Sequence, residues 1–256
     1  MKSLHNPLID LRYWVLISLA SIFGTNTGDL AVRWYKQGAD AMGLPLFLGF
    51  KHLGPFPILV ILLALVFIIE KFDSNKLELY FWSAIMLIRT AATNIADTVN
   101  DELHVAPEIA VAILVILLAI GALIWQRLRP KPIEGFFIPT TNTFYWGMMC
   151  VAGILGTLIG DELAHIFGLA MSSLVLSILM FGCIFFGYKR FLIFTALYWF
   201  GIAFARIAGT AVGDWLAKSV ERGGAGLGLP LATLCSGIVF IAVAIWWKTK
   251  KSEVIQ

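Results

Sequence analysis

The six residues Gly24-Thr25-Asn26-Thr27-Gly28-Asp29 form a pattern that the chain repeats four times. The later copies are Ala92-Thr93-Asn94-Ile95-Ala96-Asp97, Gly156-Thr157-Leu158-Ile159-Gly160-Asp161 and Gly209-Thr210-Ala211-Val212-Gly213-Asp214. Each copy has Thr four positions before its Asp, Gly or Ala one and five positions before it, and a Trp fifteen positions before it, at Trp14, Trp82, Trp146 and Trp199. Self-similarity of this kind indicates an architecture built from repeated supersecondary units.

The composition is that of a membrane protein. Of the 256 residues, 59% are hydrophobic and 14% are charged, and the mean hydropathy is +0.86. Soluble domains carry more charge and less apolar surface. The net charge of +3 is too small to indicate a nucleic-acid partner. The three cysteines, Cys150, Cys183 and Cys235, lie in apolar runs without ligand spacing, so we expect no disulfide framework, no zinc site and no cofactor.

Apolar segments long enough to cross a bilayer alternate with short polar links along the chain. A spanning helix needs about 20 mostly apolar residues, and eight segments meet this length approximately: 12–34, 53–70, 79–99, 107–126, 142–164, 168–187, 191–217 and 229–247. The sequence therefore predicts an all-α, polytopic membrane protein with eight transmembrane helices in a single integral membrane domain, 1–256. The helices pair into four helical-hairpin repeats, at about 12–71, 79–128, 142–188 and 191–247.

The basic residues predict the orientation of these helices. Twelve lie at the termini or in the links after even-numbered helices: Lys2, Arg12, Lys71, Lys76, Arg127, Arg129, Lys131, Lys189, Arg190, Lys248, Lys250 and Lys251. Five lie on the opposite side: Arg33, Lys36, Lys51, Lys218 and Arg222. Because cytoplasmic loops are enriched in Lys and Arg, both termini are expected in the cytoplasm. All four motif helices then run outward, and the repeats are parallel copies.

The motif places polar side chains inside the membrane. Its Trp is expected to anchor each helix at the lipid interface, and fifteen residues at 1.5 Å each then put the Asp about 22 Å deeper, within the hydrocarbon core. Thr and Asp share one helix face, and one turn further inward this face carries Ser21, Arg89, Gly153 and Arg206. The small residues on either side of Thr favour close helix packing. Intramembrane carboxylates usually face a bundle interior or an aqueous cavity.

The residues near the aspartates suggest ligands for a cation. Four residues after each Asp come Arg33, Asp101, His165 and Lys218. Asp29–Arg33 and Asp214–Lys218 have the spacing of helix ion pairs, whereas Asp97 with Asp101 and Asp161 with His165 predict metal ligands. Asn26 and Asn94 add amide oxygens three residues before their Asp. Oxygen ligands with one imidazole suit a hard or borderline divalent ion such as Mn²⁺.

The fourfold Trp…Gly-Thr-x-x-Gly-Asp pattern resembles a bacterial family of four-repeat integral membrane proteins, described only as membrane-anchored proteins of unknown function. The resemblance extends from about Tyr13 to Trp247, and the second copy departs from it at Ala92 and Ala96. It implies tandem two-helix repeats, each with a Trp, and a location in the bacterial inner membrane. It implies no particular activity.

These observations predict a transporter of a small cation, perhaps a divalent metal ion, with protons as the exchange ion. Its predicted site comprises Asp29, Asp97, Asp161, Asp214, Thr25, Thr93, Thr157, Thr210, Asn26, Asn94, Arg89 and Arg206. One alternative is a small organic anion held by Arg89 and Arg206. Another is a structural or partner-binding membrane protein whose polar residues lock helices together. No arrangement typical of an intramembrane enzyme occurs. The expected partners are the lipid bilayer and a small cation or proton, and assembly into a homo-oligomer is left open.

Overall fold

The chain is built from α-helices, as the sequence predicts. The computed structural model describes residues 7, 9–73, 78–128, 141–191 and 195–254. Within these ranges lie eight α-helices: α1 Leu11–Met42, α2 Phe56–Phe72, α3 Glu78–Asp97, α4 Pro107–Leu128, α5 Thr143–Phe167, α6 Leu169–Phe191, α7 Thr195–Ala217 and α8 Leu229–Val254. Each corresponds to one predicted segment, so the all-α fold class is confirmed. The helices α1, α3, α5 and α7 carry the four motifs and are called the motif helices below.

Local sequence sets the ends of the motif helices. Asp10 caps α1 by accepting a hydrogen bond of 2.9 Å from the backbone N–H of Tyr13, and Asn142 caps α5 in the same way. The first helix ends at Gly43, whose φ of 63° is the left-handed conformation that glycine adopts without strain. It therefore ends eight residues beyond the predicted end at residue 34, because residues 35–42 continue the helix beyond the apolar segment.

The motif helices form a closed ring in the order α1, α3, α5, α7, and each packs along both of its neighbours in this ring. The remaining helices lie outside the ring. They do not mainly cover their own partners: α2 packs on α3, α4 on α5 and α7, α6 on α7, and α8 on α1. The two helices of each predicted hairpin therefore do not pack chiefly against each other. Each repeat is covered largely by the outer helix of the repeat before it.

Small residues allow the ring to close. The first small residue of each motif packs against the residue eight positions before Asp on the next motif helix. A Cβ added at Gly24 would lie 2.5 Å from Cγ of Arg89, and one added at Gly209 would overlap the Cβ of Ser21. Gly156 approaches Arg206 in the same way. The second copy reverses the sizes, since Ala92 faces Gly153, where an added Cβ would lie only 2.6 Å away. The larger Ala92 in the second copy is therefore accommodated by Gly153 on the neighbouring helix.

The outer surface is apolar, as a membrane protein requires. In the part of the chain that the structure describes, four helices are long and apolar enough to cross a membrane: Leu11–Met42, Pro107–Arg127, Thr143–Phe167 and Leu229–Trp246. The apolar helix Leu169–Phe185 is shorter. Exposed aliphatic side chains cover the outer helices, for example Ile61, Ile116, Leu179 and Ile238. The motif helices α3 and α7 carry polar residues that point into the ring, which lowers their hydropathy. Several helices are thus suited to a lipid environment.

Three of the motif tryptophans are packed inside the protein. The expectation that they anchor helices at the lipid interface is wrong for Trp14, Trp82 and Trp199, because each is at most 5% exposed. They pack against a layer of aromatic residues, one from just before each Trp: Tyr13, Phe81, Tyr145 and Tyr198. The hydroxyl of Tyr198 lies 2.7 Å from that of Tyr13 and 3.0 Å from that of Tyr145. This layer joins the N-terminal ends of the motif helices.

Candidate functional site

Equivalent residues of the four motifs converge on one cavity. It has a volume of about 430 Å³ and lies where the C-terminal halves of the motif helices meet. All four motif threonines and all four motif aspartates line it: Thr25, Thr93, Thr157, Thr210, Asp29, Asp97, Asp161 and Asp214. The other lining residues are His52, Asn100, Asp101, Ala164, His165, Leu169, Lys218 and Arg222. The structure therefore brings the Thr and Asp side chains of the four motifs together around one cavity.

One arginine binds all four threonines below the aspartates. The Nη2 of Arg89 donates hydrogen bonds of 2.6 Å to the hydroxyls of both Thr25 and Thr210. Its Nη1 donates to the hydroxyls of Thr93 and Thr157, both at 2.9 Å, and to the carbonyl of Gly153 at 3.3 Å. The residue is fully buried although the cavity lies directly above these hydroxyls. We call this arrangement of Arg89 and the four threonines the threonine ring.

The aspartates differ in their partners. Asp214 is buried and forms an ion pair of 2.7 Å with the ammonium group of Lys218, as its i, i+4 spacing predicts. The corresponding pair Asp29–Arg33 is absent from the ion pairs of the described residues, because Arg33 points to the exposed surface. Asp29, Asp97 and Asp161 are partly exposed to the cavity. These three carboxylates thus have no ion-pair partner among the described residues, although Asp161 shares a hydrogen bond with Asp214.

The predicted metal ligands share the cavity without forming a metal centre. Asp97, Asp101, Asp161 and His165 all line it, and His165 is exposed at its rim. Among the residues that the structure describes, however, no three His, Cys, Asp or Glu side chains are close enough together to hold a metal ion. Direct coordination of a bare ion requires several ligands within about 2.0–2.6 Å. The cavity volume of about 430 Å³ leaves room for a hydrated ion or a small organic cation.

The two asparagines lie elsewhere. Asn26 and Asn94 are fully buried between motif helices and are not part of the cavity wall. A Cβ added at Gly28 would lie 3.1 Å from Oδ1 of Asn94, and one added at Gly213 would lie 3.2 Å from Oδ1 of Asn26. Each amide therefore faces the second glycine of a neighbouring motif. The structure therefore places both predicted cation ligands outside the cavity, since one helical position beside Thr is enough to turn a side chain into the helix interface.

The arginines are not available to an anion in the cavity. The threonine ring occupies both terminal nitrogens of Arg89. Arg206 is also fully buried and donates to Ser21 Oγ at 3.1 Å and to Met149 Sδ at 3.9 Å. It does not line the cavity. The alternative of an organic anion held by Arg89 and Arg206 thus has no geometric support.

His52 lies at the cavity mouth, although the repeat pattern does not single it out. Its Nδ1 lies 3.2 Å from Glu102 Oε1 and its Nε2 lies 3.9 Å from Asp101 Oδ2. Glu102 also accepts hydrogen bonds from the backbone N–H groups of Lys51 and His52. Burial lowers the pKa of His52, and Lys51 lowers it further, although Glu102 and Asp101 oppose the shift. It belongs to a link found in one repeat only, so comparison among copies could not identify it.

The cavity carries a negative formal charge. Its lining contains five aspartates, Asp29, Asp97, Asp101, Asp161 and Asp214, against the two cations Lys218 and Arg222, which gives −5 + 2 = −3 with neutral histidines. Including Arg89 directly beneath reduces this to −2. A water-accessible cavity with this charge concentrates cations and repels anions.

Comparison with known proteins identifies the repeat. The model of a repeat family of unknown function, DUF347, matches residues 80–130 and 197–252, which contain the second and fourth copies of the motif. The resemblance to a repeat family of unknown function is therefore confirmed. No curated protein and no solved structure matches the chain significantly.

Proposed function

We propose that this protein with DUF347 repeats is a secondary transporter that binds a small cation at its four motif aspartates and exchanges it for protons. The observation that carries the proposal is the convergence of Asp29, Asp97, Asp161 and Asp214 on one cavity. A structural role requires only that polar groups satisfy one another. Three of these carboxylates instead face open space without an ion-pair partner among the described residues. Uncompensated carboxylates inside a membrane protein are costly and are typical of ion and proton pathways.

The charge of the cavity suits exchange between a cation and protons. With all carboxylates ionised, the formal charge of −2, counted with Arg89, matches a divalent cation. Each proton taken up by an aspartate lowers the negative charge by one and weakens cation binding, because the two ligands compete for the same oxygens. The cavity volume of about 430 Å³ leaves room for a divalent metal ion that keeps part of its hydration shell. The four threonine hydroxyls at its base are already used by Arg89, so the aspartates are the ligands we propose.

The membrane arrangement is part of the proposal. The aromatic layer with Tyr13, Tyr145 and Tyr198 joins residues near the beginnings of the motif helices. The cavity joins residues near the ends of the same helices. This supports four motif helices that run in one direction, each followed by a returning outer helix. We propose eight spans in four parallel hairpins, located in the bacterial inner membrane with both termini cytoplasmic. The cavity then opens to the outside, in line with the twelve-to-five distribution of basic residues.

Reporter fusions test this topology. Fusions after Arg129 and after Arg190 should report a cytoplasmic location, and fusions near Asp101 and near Gly224 should report an external one, because the positive-inside rule sets the orientation. Alkaline phosphatase and green fluorescent protein fused at the same sites give opposite signals and serve as mutual controls. A cytoplasmic signal near Gly224 would contradict the parallel arrangement.

A thermal-shift screen tests ligand binding. The purified protein should melt at a higher temperature in the presence of its cation, because a ligand that binds only the folded state stabilises it by about 2.7 kcal/mol at one hundred times Kd. The probes are Mn²⁺, Mg²⁺, Zn²⁺ and a diamine. Asp97→Asn should reduce the shift. Glu162→Gln, in the same helix as Asp161 but outside the cavity lining, should retain it.

The same screen distinguishes the alternatives. Stabilisation by organic anions and not by cations would replace the proposal by anion transport. If no probe shifts the melting temperature and Asp97→Asn prevents folding, the aspartates have a structural role and the proposed transport is wrong.

A further inference from the structure

The threonine ring places a charged side chain across the axis of the motif helices. Each threonine hydroxyl donates to the carbonyl four residues before it, at 3.0 Å for Thr25, 3.3 Å for Thr93, 3.4 Å for Thr157 and 3.1 Å for Thr210. A hydroxyl has one proton to donate and two lone pairs to accept with. All four hydroxyls are thus oriented as acceptors towards the centre, where the guanidinium of Arg89 lies.

Below the threonine ring the interior is closed. Arg206 and Ser21 lie one turn further from the cavity, and the hydroxyl triangle of Tyr13, Tyr145 and Tyr198 closes the far end. Arg89, Arg206 and Ser21 are all fully buried. A path along the axis from the cavity to the other side of the protein must therefore pass the guanidinium of Arg89.

The contacts of Arg89 make it displaceable. Its terminal nitrogens donate only to neutral oxygens, its Nε has no hydrogen-bond partner in the described residues, and no carboxylate lies within ion-pair distance of it there. An ion pair would add the attraction of a carboxylate to these hydrogen bonds, and Arg89 has none among the described residues. A cation that reaches the aspartates above would repel the guanidinium in a medium of low dielectric constant. Occupation of the cavity therefore favours displacement of Arg89.

Only one of the four repeats supplies an arginine to the threonine ring. The positions equivalent to Arg89 hold Ser21, Gly153 and Arg206, and of these only Arg206 has a side chain long enough to reach across the axis. Arg206 bonds to Ser21 and Met149 and not to the motif threonines. One guanidinium thus uses acceptors from all four repeats. A side chain that only joined two helices would need acceptors from one neighbouring helix, whereas Arg89 uses acceptors from three others as well as its own.

We infer that Arg89 is the gate of the transport path: its guanidinium seals the inner end of the aspartate cavity and leaves the threonine ring when a cation passes. The transport path in this inference rests on the proposed function, whereas the seal rests only on the burial and hydrogen bonds of Arg89. Arg89 is a positioning residue and is not proposed to bind the transported cation.

Cysteine accessibility tests the seal without a transport assay. In a chain with Cys150, Cys183 and Cys235 replaced by Ala, Ser21→Cys places a thiol just below Arg89. Purified protein in lipid nanodiscs is treated with a water-soluble cationic methanethiosulfonate. Adding Arg89→Gln should raise the rate of labelling at position 21 by at least about tenfold, because losing the charged hydrogen bonds of the guanidinium removes the barrier. Arg89→Lys, which keeps the charge but not the planar fork, should have an intermediate effect.

Two further cysteines separate gating from general loosening. Ala164→Cys lines the cavity above the ring and should react equally with and without Arg89. Ala20→Cys, fully buried and adjacent to Ser21 in sequence, should stay unreactive in both backgrounds. If Arg89→Gln does not fold, Thr25→Val with Thr210→Val removes the two shortest bonds of the ring and gives the same readout.

The inference is overturned if position 21 stays unreactive in a folded variant whose Ala164→Cys control reacts. It is also overturned if positions 20 and 21 become reactive together, because that result means a loosened bundle. Selective labelling at position 21 supports the seal. If position 21 is labelled selectively but the protein transports no cation, the seal is supported and the proposed transport function is wrong.

Discussion

The double substitution Asp97→Asn/Asp161→Asn is expected to abolish cation transport while the protein stays folded. Both carboxylates line the cavity and have no ion-pair partner among the described residues. Asn keeps the size of the side chain and removes the charge. If each carboxylate contributes about 1.5 kcal/mol or more to holding the cation, the loss of two should lower the affinity about a hundredfold. Removing uncompensated buried charge also removes a desolvation cost, so the melting temperature should not fall.

The measurement is cation uptake by proteoliposomes, with a melting curve for each variant. Asp29→Asn should behave like the single substitution Asp97→Asn, since Arg33 is exposed and does not neutralise Asp29. Asp214→Asn is not equivalent to the other substitutions, because it removes the ion-pair partner of the Lys218 ammonium, which lies 2.7 Å from Asp214. Glu162→Gln is the matched control and should transport normally. Full transport by the double variant would exclude the aspartate site.

The substitutions Gly156→Leu and Gly209→Leu are expected to damage folding and lower the melting temperature. Even a Cβ at these positions would overlap Cβ of Arg206 or of Ser21 and would lie 2.8 Å or 3.0 Å from the backbone carbonyl carbon of that residue. Backbone in a neighbouring helix cannot rotate away as a flexible side chain can. Overpacking usually costs about 1–3 kcal/mol, and contacts with backbone belong at or above the upper end. This is a large part of the total stability of about 5–15 kcal/mol that is typical of proteins.

A leucine elsewhere in the same helix provides the comparison. Gly147 also lies in α5, but no heavy atom lies within 4 Å of a Cβ added there. Gly147→Leu should therefore accumulate in the membrane and melt like the parent, as measured by size-exclusion chromatography and thermal unfolding in detergent. If Gly156→Leu and Gly209→Leu match Gly147→Leu, the motif glycines do not mark close helix contacts.

The repeat pattern predicted a large part of this architecture. Comparison of the four copies identified the small positions, the threonines and the aspartates, and helical periodicity put Thr and Asp of each copy on one face. Four helices with the same polar face can pack around a common centre, so the repetition predicts that these faces line one cavity. Tyr13, Tyr145 and Tyr198 could have been found by the same comparison, because an aromatic residue precedes the Trp in every copy.

Other features depend on neighbours that are distant in sequence. The packing of α1 against α7 and of α3 against α1 turns Asn26 and Asn94 away from the cavity. Trp14 and Trp199 are buried against aromatic residues distant in sequence, Tyr198 and Trp125 respectively. The sequence alone predicted eight helices, the repeated contacts between them and an acidic centre. The tertiary structure decided that each outer helix packs on the next repeat and that Arg89 binds the four threonines. The physical reason is that helix periodicity sets the direction of a side chain relative to its own axis, whereas its partner depends on which other helix lies in that direction.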